Sequence, residues 1–259
     1  MRDLFFYIGL AAVSLSGASC SSGSYVVTEV ERTRILVDSV YDAMPDSATQ
    51  AFLAPYRQVV DSMMSPVMGY SARYMEASRP ESPLSNLLAD ILVWAGKNYG
   101  EKPVMGIYNM GGIRAALPEG KVTYGNVLEV APFENKICFI TLSGESLIRL
   151  FGSIAVVGGE GVSHGVKMVI GDDGYGNRIP KSVRLHGKGI DPKASYRIAT
   201  IDYLVQGNDN MCEFGEGTDL NSPQDKSNDT RYIISAYFKE MAAQGKIVDS
   251  RVEGRIVVE

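Results

Sequence analysis

The densest chemistry in this chain lies in Asn109-Met110-Gly111-Gly112-Ile113-Arg114. The segment follows an apolar run, Val104 to Tyr108, that reads as a strand. Two adjacent glycines permit a tight turn with no Cβ in the way. The amide of Asn109 can pair with a base edge or a hydroxyl, and the guanidinium of Arg114 can grip an anion through two parallel bonds. The same arginine also reads as a solvated surface charge. A second segment is Ala131-Pro132-Phe133-Glu134-Asn135. Its Phe133 is either a plug at the core edge or a stacking platform for a flat base, worth roughly 1–3 kcal/mol per base. A third runs from Asp202 to Asp209. A strand ends near Asp202, and a turn at Gly207-Asn208 presents Asp209. That carboxylate can accept bonds from both hydroxyls of a ribose, or simply form the turn.

Other chemistries have less support. The 259 residues carry a net charge of −5, with the acidic groups spread out. A non-specific binder of nucleic acid needs a basic stripe; a small anionic ligand needs only a few placed arginines. The two histidines, His164 and His186, lie in separate segments and read as surface or hydrogen-bonded structural residues. Asp172 and Asp173 could face a cation, but they open a dense turn signal, Asp172 to Asn177. Cys138 lies in an apolar run and Cys212 beside a Gly-rich turn. They either pair in an oxidising compartment or serve as separate small hydrophobes.

These segments need a scaffold. Residues 1–20 read as a signal peptide: an apolar run from Leu4 to Val13, too short to span a membrane, then Ser16-Gly17-Ala18-Ser19-Cys20. The cysteine and the Ser/Gly-rich stretch after it resemble a bacterial lipoprotein signal, with an ordinary cleaved signal as the alternative. Lipidation at Cys20 would hold the protein at the cell envelope, on the periplasmic or outer-surface face of a membrane. Residues 21–54 read as a tether and leading helix, and 55–259 as the main domain.

Helical spacing predicts a helix from Ser47 to Met64, its regular part starting at Pro55. A second is predicted from Ser82 to Tyr99, with Asn86 and Asp90 sharing one side. Further helices are predicted near Gly125–Glu129, Glu145–Phe151 and Asp229–Ala243, the last capped by Asp229 or Asn228. Strands are predicted at 104–108, 121–124, 137–142, 166–170, 182–186, 196–200 and 252–258. Helices and strands intersperse without strict alternation. The expected fold class is therefore α+β, a layered mixed sheet with helices.

Taken in order, the blocks resemble one family. Asn-x-Gly-Gly-Ile-Arg, Pro-Phe-x-Asn, and Ile198 to Leu204 followed by Gly207 and Asp209 are similar to the 5'-nucleotidase C-terminal domain. Glu81 to Asp90 is similar to that domain's opening helix. The resemblance covers about residues 55–258. It implies that Phe133 and Tyr203 sandwich a base, that Asn109 contacts it, and that Gly111 and Gly112 shape the wall. It implies further that Arg114 approaches the phosphate or ribose and that Asp209 takes the ribose hydroxyls. Arg79 lies near the place of a further family arginine. Asn208 stands where the family has glycine, and its tolerance of positive φ would preserve the turn.

Full-length relatives of this kind carry a separate metallophosphatase domain with a pair of divalent metals. No Asp-x-His, Gly-Asn-His or Gly-His-x-His segment of that domain occurs here. The expectation is a nucleotide- or nucleoside-binding half, with no catalytic residue, metal ligand or cofactor of its own. Its partners would be the ligand, a metallophosphatase subunit and a membrane reached through lipid. The alternative is an interaction or scaffold lipoprotein that kept the fold.

Overall fold

The computed structural model describes residues 27–36, 38–43 and 46–259. The expected signal peptide and Cys20 lie outside the described residues. The chain divides after Phe52 into two units. The first contains a 3-10 turn, Ser39–Ala43, and the start of helix α1 (Ser47–Met64). Asp46 caps that helix, accepting the Ala48 amide at 3.0 Å. Pro55 lies inside α1, which corrects the expected start there. The aspartate cap sets the first turn, and the proline removes a single intrahelical donor. No described helix is long and apolar enough to cross a membrane.

The larger unit, residues 53–259, is a mixed α+β fold. Strand β1 (Val67–Ser71) precedes α2 (Pro83–Ala95). Ser82 and Ser85 form a reciprocal capping box, with Ser82 Oγ accepting Ser85 N at 3.3 Å and Ser85 Oγ accepting Ser82 N at 3.1 Å. Leu84, Leu87, Leu88, Ile91 and Leu92 are buried. The regular helix ends at Ala95. The expected last turn tightens to a 3-10 turn, Gly96–Tyr99, closed by Gly100 in the left-handed region at φ 67°.

Strand β2 (Met105–Tyr108), strand β3 (Gly120–Thr123) and helix α3 (Tyr124–Val130) follow. Then come β4 (Ile137–Ser143), α4 (Gly144–Val156), β5 (Gly161–Val162), β6 (Val166–Asp172) and β7 (Arg178–Leu185). The chain closes with β8 (Ser195–Ile201), α5 (Asp202–Val205), β9 (Thr218–Asn221), α6 (Thr230–Ala243) and β10 (Ile256–Val258). The central sheet runs β5-β2-β8-β4-β9, with β2 and β8 parallel and the other neighbours antiparallel. A second sheet runs β10-β6-β7, and β1 pairs with β3. Helix α2 packs on β2, and their apolar side chains join one core cluster.

The expected strand at 252–258 is shorter by half, because its first residues pair with a side chain. The buried Glu81 carboxylate accepts the amides of Glu253 and Arg255, both at 2.7 Å. Arg255 is itself only 2% exposed. Its Nη1 and Nη2 fork onto Asp90 at 2.9 and 2.7 Å, Nη1 also reaches Val162 O at 2.8 Å, and Nε reaches Glu253 at 3.0 Å. Asp90 therefore serves the core. Asp90 and Glu253 are a third or more exposed, so water can take up their charge once the guanidinium is gone, and Val162 O then loses its donor. Arg255→Met is expected to cost about 1–3 kcal/mol, measured by urea unfolding.

Cys138 and Cys212 are unbonded, the first buried and the second exposed, which corrects the pairing option. Burial pushes the Cys138 thiol up to about 11. Native thiol labelling should modify Cys212 and leave Cys138 protected until unfolding.

Candidate functional site

Strand pairing brings the three chemistry-bearing segments to one end of the central sheet. In the antiparallel β4–β8 pair, Ile137 faces Ile201, so the segment before β4 lies beside the segment after β8. In the parallel β2–β8 pair, Met105 faces Ile198, so the segment after β2 arrives at the same end. There Asn109, Gly111, Gly112, Arg114, Phe133, Asn135, Tyr203 and Asp209 line a pocket of about 330 Å³. Small-molecule pockets occupy roughly 300–1,000 Å³.

Asp209 is the hub. Its Oδ2 accepts Asn109 Nδ2 at 2.8 Å and its Oδ1 accepts the Tyr203 hydroxyl at 3.1 Å. Each carboxylate oxygen keeps a further lone pair for a ligand. The hydrogen bond to Asp209, and then the charge of that group, push the Tyr203 phenol up, so it remains a donor at neutral pH. The turn holding the carboxylate is left-handed at Gly207 (φ 84°), Asp209 (φ 56°) and Asn210 (φ 61°). This corrects the role given to Asn208, which is not at positive φ. Its Nδ2 instead ties the turn back to Tyr203 O at 2.8 Å.

Asn109 is 3% exposed, with its amide turned onto Asp209 and its Oδ1 buried without a partner. In this geometry it orients the carboxylate, whereas the resemblance assigns it to a base. Neither Gly111 nor Gly112 is at positive φ. Close approach explains Gly112: a Cβ there would lie 2.5 Å from Asn109 Oδ1, whereas one on Gly111 would meet nothing nearer than 3.8 Å.

Arg114 is exposed, and its Nη1 donates to Gly111 O at 3.3 Å. Its backbone amide is fixed on Val130 O at 3.0 Å. Phe133 is 46% exposed and Tyr203 36%, so Phe133 is no core plug, and both rings offer surface to the pocket. Asn135, inside the Pro-Phe-x-Asn block, is a lining residue that sequence reasoning left unassigned.

Sequence reasoning also missed a support behind the turn. Glu160 is 1% exposed and accepts from both the Met110 amide and Arg79 Nη2. Burial pushes its carboxyl up, against the lowering effect of Met110 and Arg79. Arg79 also donates to Gly159 O at 2.8 Å, so it lies behind the pocket wall and does not line it. Both glycines of the preceding Gly158-Gly159 pair are at positive φ; that local pattern is the sequence signal for a built loop here.

Among the described residues, no group of three or more His, Cys, Asp or Glu side chains is placed to hold a metal ion. His164 Nδ1 meets Glu253 at 3.0 Å, and His186 Nε2 meets Val104 O at 2.8 Å. These residues do not fit a two-metal centre. The charged groups lining the pocket, Arg114 and Asp209, suit binding and orientation. Gly112→Ala should push Asn109 off Asp209 and cost about 1–3 kcal/mol, while Gly111→Ala should stay within about 0.5 kcal/mol; urea unfolding of the two variants compares them.

A family model described as 5'-nucleotidase, C-terminal domain, matches residues 64–216. The chain is 25% identical over 171 residues to protein UshA of Yersinia enterocolitica, covering 63% of this chain and 30% of that protein. It is 25% identical over 217 residues to a 5'-nucleotidase of Vibrio parahaemolyticus, covering 78% and 38%. The solved 5'-nucleotidase precursor of Thermus thermophilus superposes with a TM-score of 0.70 at 26% identity, covering 84% of this chain and 44% of that one. The chain thus spans less than half the length of each of these relatives. The shared sheet, the ordered motif blocks and the family match together make this chain a member of the 5'-nucleotidase C-terminal domain family.

Proposed function

We propose that this domain binds a nucleotide or nucleoside and presents its phosphate ester to a separate metallophosphatase subunit. The observation that carries this reading is one pocket joining two half-exposed aromatic faces, Phe133 and Tyr203, to the carboxylate of Asp209. A flat base stacks against the rings, gaining roughly 1–3 kcal/mol per base. Ribose hydroxyls donate to the lone pairs that Tyr203 and Asn109 leave open on Asp209. Arg114 lies on the rim as the group for a phosphate or ribose oxygen. Gly111 and Gly112 keep that wall thin. Hydrolysis belongs to the partner, whose divalent metal pair would activate the attacking water. Lipidation at Cys20 would keep both proteins at the cell envelope, in nucleotide catabolism.

Calorimetry with AMP and adenosine tests this directly. Adenosine at 100 times its Kd should stabilise the fold by about 2.7 kcal/mol, read as a rise in Tm. Phe133→Ala combined with Tyr203→Ala should abolish that rise. The purified protein with added Mn²⁺ or Zn²⁺ should release no phosphate from AMP. Robust hydrolysis would overturn the division of labour, and no thermal shift at millimolar nucleoside would favour the scaffold reading.

A further inference from the structure

The loop that carries Phe133 is held, residue by residue, by the first turn of α6. Asn135 O accepts the Thr230 amide at 2.8 Å. Lys136 pairs with Asp229, whose side chain is 1% exposed. Glu134 Oε1 lies 3.4 Å from Arg231 Nη2. Three consecutive loop residues thus meet the N-cap and the first two residues of α6 in antiparallel order: 134 with 231, 135 with 230, 136 with 229. The end at Lys136 is tight. The end at Glu134, next to Phe133, is held by the longer ion pair, at 3.4 Å.

Burial of the arginine makes that ion pair informative. Arg231 has a side chain only 10% exposed, yet its Nε and Nη2 find no aligned hydrogen bond. Its Nε is 3.9 Å from Asp229 Oδ2, which is also buried without an aligned hydrogen bond. Buried polar atoms are normally paired. Here the incompletely paired ones lie on the turn that meets Glu134, the residue after Phe133. The donors that Asp229 leaves open on Arg231 are turned to the Glu134 carboxylate at 3.4 Å.

We propose that the first turn of α6 is a clamp that sets the angle of Phe133, with Arg231 as a positioning residue acting through Glu134. The proposal rests on the nucleoside reading of the pocket for its consequence, but the clamp itself concerns the free protein. Arg231 does not line the pocket. It holds the backbone of residues 133–134 so that the ring presents its face to the pocket. Losing it should loosen one wall of the base site and leave the Asp209 hub untouched.

Two readouts test it. The first is a mutant cycle in adenosine affinity, by calorimetry, with Arg231→Met, Phe133→Ala and the double variant. Arg231→Met should weaken binding about 3- to 10-fold, Arg231→Lys should recover most of that loss, and Arg231→Met should add nothing once Phe133 is alanine. An equal loss in the Phe133→Ala background would mean general loosening and overturn the proposal. If Arg231→Met fails to fold, Glu134→Gln carries the same cycle from the exposed side of the pair. The second readout needs no ligand: 4-fluorophenylalanine in place of Phe133, followed by ¹⁹F NMR. The line should shift or broaden in Arg231→Met and return in Arg231→Lys; an unchanged line overturns the clamp. Should the wild-type protein bind no adenosine, the pocket reading falls, and the ¹⁹F result still decides the clamp.

Discussion

The register of β8 against its two neighbours is the constraint on which the site depends. Antiparallel pairing with β4 and parallel pairing with β2 bring one strand entry and two strand exits to the same sheet end. A one-residue slip would send every side chain on the strand to the opposite face. The buried run Ile198, Ala199, Thr200 and Ile201 opposes such a slip, because each residue packs in the core or, for Thr200, bonds Ile107 O at 3.0 Å. Asn109, Phe133 and Asp209 converge because the strands that carry them cannot slide.

On that frame the pocket is built by opposing demands on a few groups. Asp209 needs a left-handed backbone, which costs a non-glycine residue on the order of 1 kcal/mol. Bonds from Tyr203 and Asn109 hold the carboxylate in place. Asn109 can serve it only because Gly112 has no side chain. The turn between them is supported from behind by Glu160, a carboxylate buried because Arg79 and the Met110 amide share its charge. Hydrogen-bonding capacity is therefore concentrated on Asp209, while the two rings stay half open. That combination suits a ligand with a flat face and a hydroxylated edge.

The family match concerns the fold, and this chain spans less than half the length of the relatives compared. The knot around Arg255 and the turn around Asp209 differ in the same sense. The first is closed, with the buried Arg255 guanidinium matched by Asp90, Glu253 and Val162 O. The second, together with the first turn of α6, keeps acceptors and donors incompletely used. Polar groups left in that condition near a pocket are where a bound molecule has most to gain.

Much of this was legible in the residues. Periodicity located α1, α2 and α6 and most strands, because an apolar face repeats with the period of its element. The motif blocks named all seven lining residues first singled out, because turn chemistry and aromatic or charged side chains are local signals. Three misreadings, at Pro55, Asn208 and the start of β10, share one cause: a local rule was outvoted by a partner. Asp46 set a helix start, Gly207 and Asp209 took the positive φ, and Glu81 captured two amides. Tertiary structure alone decided that Asn109 turns onto Asp209, that Glu160 supports the turn and that Arg231 reaches Glu134. Each of these joins residues about fifty to a hundred positions apart. Such pairs depend on strand register and helix packing, which no local pattern encodes.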